Sequence, residues 1–229
     1  MTGSIPQRLA IDIGGTFTDV VLEQDGQLNT SKVLTTSAAP EEGVVNGIEE
    51  VLAKAGTAPG DIGMLLHGTT LATNAIIERK GANVALITTD GFRDVLEIGY
   101  ESRFNQYDIF IDKPTPLVPR HRRFTVPERV DVHGRVLLDL DEDAVEALLP
   151  KLDRAGVESI AIGFLHGYAN PAHEQRAREI IKAARPGLSI TLSSEVCPEI
   201  REFERFTTAT ANAYVRPLIA RYLNNLEIR

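Results

Sequence analysis

The chain has one cysteine among its 229 residues, Cys197, and that scarcity excludes an internal disulfide and a cysteine-built zinc cage. Cys197 precedes Pro198 at an expected strand-to-helix boundary with no basic partner nearby, which makes it a small packed residue rather than an activated thiol. Long apolar runs are missing too. Nothing approaches the roughly 20 residues of a membrane span, and Met1 to Gln7 lacks the charged-then-apolar layout of a signal peptide, so a cytoplasmic location with no membrane partner is expected. Positive charge is in deficit: 24 Lys and Arg stand against 32 Asp and Glu, a net charge of −8, which argues against a nucleic-acid surface. No histidine pair has the His-x3-His spacing of a zinc site, His166 and His173 being seven apart. There is no internal repeat and no low-complexity segment. With 43% hydrophobic and 24% charged residues the chain reads as globular, and a chain this long buries roughly 70% of its unfolded surface in one large or two small domains.

What is present is organised around Arg8 to Val21, RLAIDIGGTFTDVV. Leu9, Ala10, Ile11 and Ile13 read as a buried strand, Phe17, Val20 and Val21 as the returning one, and Gly14-Gly15-Thr16 as the turn between them. Glycine there permits φ > 0 and lets another group approach the backbone, so successive N–H groups can form an anion-binding concavity. Asp12, Thr16, Thr18 and Asp19 surround the turn. Two carboxylates beside bound phosphates would repel them unless a cation intervened, which points to Mg²⁺, an ion typically held through one or two carboxylates plus phosphate oxygens. The bland alternative is a tight hairpin whose Asp and Thr side chains only cap their own backbone.

These residues carry a resemblance. The pattern hydrophobic-Asp-x-Gly-Gly-Thr-x-Thr-Asp is similar to the first phosphate motif of the actin, sugar-kinase and heat-shock ATPase superfamily. IDIGGTFTD, followed at Leu66 by LHGTTLATNAIIERKGANVALITTDGFRDVLEIG, resembles the N-terminal region of the hydantoinase A/5-oxoprolinase family. The likeness continues through PLVPRHRRFTVPERVD, FLHGYANPAHE, SSEVCPEIREFER and TTATANAYVRPLIARYL, nearly the whole chain. Members of that family are much longer, and the second half of their fold would begin where this sequence stops.

The remaining pattern supports an α/β domain. Asp25-Gly26 supplies a turn before a third strand, Gln27 to Leu34, so the opening is three antiparallel strands. Pro40 opens a helix with Val44, Ile48, Val51 and Leu52 on one face, and Gly56 ends it. Ile62 to Leu66 is a short strand delivering His67-Gly68-Thr69-Thr70 onto a helix from Leu71 to Arg79. Thr69, Thr70 and Asn74 are candidates for contact with substrate or transferred phosphate, with Thr70 alternatively a helix cap. His67 is either a base or a satisfied structural residue. Asn83 to Thr89 is a further strand, and Phe92 to Ile98 is briefly helical. Gly99 to Pro127, rich in proline and carrying Arg120, Arg122 and Arg123, reads as an insert or subdomain arm whose arginines form an anion clamp or a solvated or subunit-contacting loop. Asp131 to Leu138 reads as a hairpin edge, Val145 to Leu152 as one helix, Val157 to Leu165 as a strand, Pro171 to Ala184 as a helix and Leu188 to Leu192 as the last strand. Beyond Pro198 the chain reads as helical, kinked at Pro217, with Val215, Leu218, Ile219, Tyr222 and Leu226 forming an apolar stripe that has nothing left to cover.

This order fits a ribonuclease-H-like domain of the actin-like ATPase kind, a mixed sheet opening in three antiparallel strands, plus the Pro/Arg-rich insert. The expected organisation is an ATPase domain over 7–200, with its insert about 99–135, and the helical start of a following hydantoinase A domain over 201–229. The resemblance implies ATP and Mg²⁺ as cofactors, Asp12 and Asp19 at the metal, and Gly14, Gly15, Thr16, Thr18 and Asn74 at the phosphates. Asp12, with Thr69, Thr70 and His67 from the turn before the second helix, makes up the candidate catalytic set. The resemblance implies ATP-dependent opening of a cyclic amide such as a hydantoin or 5-oxoproline, with ketone carboxylation or a non-catalytic nucleotide-binding module as alternatives. A hydantoinase B-type second subunit or domain and a homo-oligomer are the expected partners.

Overall fold

A computed structural model describes residues 7–36, 39–99 and 107–228. The chain divides into two compact units, Met1–Lys80 with Leu218–Arg229, and Gly81–Pro217.

The first unit begins with β1 (Gln7–Ile13), β2 (Phe17–Gln24), β3 (Gln27–Leu34) and α1 (Pro40–Ala55), and continues through β4 (Ile62–Thr69) and α2 (Leu71–Ile77). Its sheet runs β3-β2-β1-β4, antiparallel through the first three strands and parallel between β1 and β4. The three expected antiparallel strands are therefore present, and β4 makes the sheet mixed. Period-2 alternation explains the faces: Leu9, Ile11, Ile13, Val20 and Leu22 are buried against Val44, Val51 and Leu52 of α1, while Arg8 and Asp12 point to the other side. At the β2–β3 turn, Asp25 and Gly26 both have positive φ, 50° and 76°, the backbone that a two-residue hairpin of matching twist requires. Helix α1 starts on Pro40, has Glu41 and Glu42 in its first turn and ends on left-handed Gly56, whose N–H caps the last turn.

The second unit holds β5 (Val84–Thr89), α3 (Val95–Ile98), β6 (Arg123–Val126), β7 (Arg129–Val130), β8 (Val136–Leu138), α4 (Glu142–Glu146), α5 (Leu149–Arg154), β9 (Ser159–Gly163), α6 (Ala172–Ala184), β10 (Ser189–Leu192) and α7 (Ser193–Val196). The last helix, α8 (Glu202–Ile228), contributes its residues up to Pro217. Strands β10-β9-β5-β6 form a parallel sheet, and β9 and β5 are buried along their whole length, as parallel strands covered on both faces must be. Among the described residues no helix is long and apolar enough to cross a membrane.

Four expectations are corrected. Strands β4 and β5 belong to different sheets rather than to one alternating series. The Pro/Arg-rich stretch is not wholly irregular: its 100–106 portion lies outside the described residues, but β6 within it pairs in parallel with β5. The helix expected from Val145 to Leu152 is two helices, because Pro150 has no N–H to continue the ladder. The apolar stripe of α8 is not bare, since Tyr222 is buried in the core of the first unit and Leu226 packs against it.

Candidate functional site

The turn after β1 is held from below. Gly14 N–H donates to the Phe17 carbonyl at 2.9 Å, Thr35 N–H donates to the Thr16 carbonyl at 2.9 Å, and the Thr35 hydroxyl donates to the Gly14 carbonyl at 3.1 Å. Thr18, fully buried, meets the Thr35 hydroxyl at 2.9 Å, so its side chain lies under the turn, while Thr16 is exposed at the tip. Neither Gly14 nor Gly15 has positive φ, which corrects the left-handed backbone expected there. What demands glycine is space: a Cβ on Gly14 would stand 3.0 Å from the Phe17 carbonyl oxygen, and one on Gly15 3.0 Å from the Asn74 amide nitrogen.

The end of β4 is tied to the same turn. Thr70 donates both its N–H and its hydroxyl to the Ile13 carbonyl, at 3.1 and 3.2 Å, and Asn74 Nδ2 donates to the Thr70 hydroxyl at 3.2 Å. Thr70 occupies the N-cap position of α2, but its hydroxyl does not cap; Thr69 instead accepts the Leu71 N–H at 3.1 Å. This chain of bonds sets the Asn74 amide against Gly15. His67 has a partner: its Nε2 lies 2.8 Å from the Tyr222 hydroxyl, and the two rings stack with centroids 5.7 Å apart. Burial pulls the His67 pKa below the usual imidazole value, opposed by the charge of Asp12, and burial beside Glu41 raises the Tyr222 phenol. A neutral imidazole accepting the phenol proton satisfies both.

Asp12 and Asp19 are register partners across β1 and β2, on the sheet face opposite the α1 core. Lys32 donates to both Asp19 oxygens, at 2.7 and 2.9 Å, and sits over the Phe17 ring. Gly68 pairs with Asp12 from β4, and a Cβ there would lie 3.5 Å from Asp12 Oδ1. Among the described residues no group of three or more His, Cys, Asp or Glu is positioned to hold a metal. The exposed Asp12 carboxylate with Asp19 beside it fits a largely hydrated Mg²⁺, which needs only one or two carboxylates, and not an all-protein cage.

A cleft of about 320 Å³ opens beside the turn, lined by Gly14, Gly15, Thr35 and Asn74 and, from residues the sequence did not single out, by Glu41, Lys80, Arg221 and Asn225. Of the expected site residues it gathers Gly14, Gly15 and Asn74; Asp12, Asp19, Thr16, Thr69, Thr70 and His67 do not line it. The arginine cluster divides: Arg120 is exposed, Arg122 half-buried and Arg123 buried. Arg120 forks onto Asp94 at 2.9 and 3.0 Å, Arg122 bonds to Asn83, and Arg123, 1% exposed, donates to the Val118 carbonyl and to Glu97.

The profile of the family described as hydantoinase/oxoprolinase N-terminal region matches residues 8–184. The chain belongs to this family. Relatives of the hydantoinase/oxoprolinase chain include the caprolactamase α subunit of Pseudomonas jessenii, 36% identical, with 96% of this chain matching 33% of that one. The 5-oxoprolinase of Saccharomyces cerevisiae is 35% identical, 96% of this chain matching 20% of it. In structure, the ATP-dependent caprolactamase of Pseudomonas jessenii superposes with a TM-score of 0.86 at 36% identity over 96% of this chain and 33% of that one. A nucleotide-free acetone carboxylase follows at 0.82 and 28%, over 96% and 34%. This hydantoinase/oxoprolinase N-terminal region thus spans between 20% and 34% of the length of these relatives.

Proposed function

We propose that this chain is the N-terminal nucleotide-binding part of an ATP-dependent cyclic-amide hydrolase of the hydantoinase/5-oxoprolinase type. One observation carries the reading: the Gly14-Gly15-Thr16 turn is braced beneath by Thr18 and Thr35, flanked on one face by Asp12 and on the other by Asn74. Likeness to an ATP-dependent caprolactamase and to 5-oxoprolinase supports the substrate class, a small cyclic amide. On this reading residues 7–200 are an actin-like, ribonuclease-H-like ATPase domain with its insert near 99–135, and 201–229 begin the next domain. The complete protein works in the cytoplasm as a homo-oligomer with a hydantoinase B-type subunit or domain.

ATP with Mg²⁺ would supply, when bound, a phosphoryl group that, placed on the amide oxygen, makes the carbonyl carbon a far better electrophile for water. The chain's own residues bind and orient. Backbone N–H groups at Gly15 and Thr16 receive phosphate oxygens, the Gly14 N–H holding the hairpin through the Phe17 carbonyl, while the Asn74 amide donates beside them and Thr69 and Thr70 fix the end of β4. Asp12 would be the principal carboxylate holding the metal, with Asp19, paired to Lys32, beside it. Thr18 orients the loop from beneath. His67, neutral and bonded to Tyr222, positions the strand end.

Removing one charge-stabilising group costs about 3 to 4 kcal/mol in the transition state, so Asp12→Ala in the complete enzyme should leave 5-oxoproline or caprolactam opening near background. Calorimetric titration of Mg²⁺–ATP should show Mg²⁺-dependent binding that the variant loses; binding indifferent to both Mg²⁺ and Asp12 overturns the assignment. Likeness to acetone carboxylase supports a second reading, an ATP-dependent ketone carboxylase subunit, selected if the complete enzyme carboxylates a ketone and opens no lactam. ATP binding without turnover of any of these substrates returns the chain to a nucleotide-binding module.

A further inference from the structure

The cleft beside the glycine turn carries a charge pattern that phosphate binding does not call for. Glu41, in the first turn of α1, lines it while only 5% exposed, and among the described residues its carboxylate accepts a hydrogen bond from the Asn225 amide at 2.9 Å. No cation among the described residues pairs with Glu41. The N-terminal dipole of α1 eases that burial in part, but a carboxylate withdrawn from water remains costly until a positive group meets it. On the same lining, the Arg221 guanidinium is without a partner among the described residues, whereas Lys80 is already paired with Glu78 at 2.6 Å. Leu71, Ala75, Leu218 and Tyr222 supply the apolar part of the wall.

One buried anion, one open cation and apolar surface together select a ligand charged oppositely at two ends of a short hydrocarbon body. We propose that this cleft binds an amino acid as its zwitterion, ammonium on Glu41 and carboxylate on Arg221, and that its occupant is the ring-opened product of the cyclic amide. Hydrolysis breaks the amide C–N bond; water gives its hydroxyl to the acyl carbon and a proton to nitrogen, and at neutral pH the product carries both charges. The identity of that occupant rests on the hydrolase reading above. Asp12 does not line the cleft, so the product subsite and the metal carboxylate are separable by substitution.

The test is calorimetric titration of 6-aminohexanoate into the chain, with hexanoate and hexylamine as probes lacking one charge each, in wild type, Glu41→Gln and Arg221→Gln. Both variants are first checked by thermal melting, and Arg221 is exposed, so its replacement leaves folding intact. The zwitterion should bind at least about tenfold more tightly than either single-charge probe, and each variant should erase that advantage. Absent saturable binding of 6-aminohexanoate, equal binding of hexanoate, or zwitterion binding indifferent to both substitutions each overturns the proposal. Mg²⁺–ATP titrated in parallel keeps the two readings apart: lost nucleotide binding with intact zwitterion binding counts against the phosphate turn, and the reverse counts against the product subsite.

Discussion

Gly14 and Gly15 look alike in sequence but are tight for different reasons. The atom facing Gly14 is a backbone carbonyl oxygen that cannot move without the hairpin, whereas the atom facing Gly15 ends the Asn74 side chain. Gly14→Ala should therefore cost about 1 to 3 kcal/mol in stability, as overpacking typically does, and Gly15→Ala less, with its loss showing mainly in nucleotide affinity; urea unfolding and calorimetry separate the two. His67 gives a second residue-scale expectation. Its folded pKa is depressed, so between that value and the ordinary one the unfolded chain binds more protons than the folded chain. Stability from this group is thus present above the unfolded pKa and lost as pH falls through about 6.5. His67→Gln should flatten the melting temperature between about pH 7.5 and pH 5 relative to wild type, and an unchanged slope would show that the imidazole does not titrate against folding. The turn, Asp12 and Asn74 were legible because a few residues within reach of one another specify them. The partners of Arg123 and Glu41 were not, because burial of a charge is decided by elements far away in sequence.

At the scale of elements, strands and helices were legible wherever period and punctuation agreed. The strands β2 and β3 and the helix α1 start and stop where Asp25-Gly26, Pro40 and Gly56 dictate. Period alone misled at Pro150, where apolar spacing ran on across a broken ladder. It also misled on α8, whose apolar stripe has its cover, the β1, β2 and α1 core, more than 150 residues earlier in the chain. Tyr222 carries much of that docking, being 4% exposed and bonded to His67. Tyr222→Phe should cost about 1 kcal/mol, one hydrogen bond, and Tyr222→Ala about 3 to 5 kcal/mol through the cavity it leaves; equal losses in urea unfolding would mean that the ring packs weakly.

For the whole molecule the informative strand is β4. It ends its sheet at an edge, and Met64, Leu65 and Leu66 are each about half exposed, the signature of a strand prone to pair with another chain. The isolated chain should self-associate with rising concentration, and Leu65→Lys should shift sedimentation towards monomer; identical profiles would clear the edge. The first unit is also assembled from two stretches, Met1–Lys80 and Leu218–Arg229, with all of Gly81–Pro217 threaded between. Closing a loop of that length costs about 4 kcal/mol of chain entropy, by an expression that grows only with the logarithm of length. Synthesis at roughly 5–20 residues per second leaves the glycine hairpin without Tyr222 and Asn225 for about 10 to 40 seconds after it emerges. The glycine turn is therefore made early and finished late, its cleft completed only when α8 leaves the ribosome.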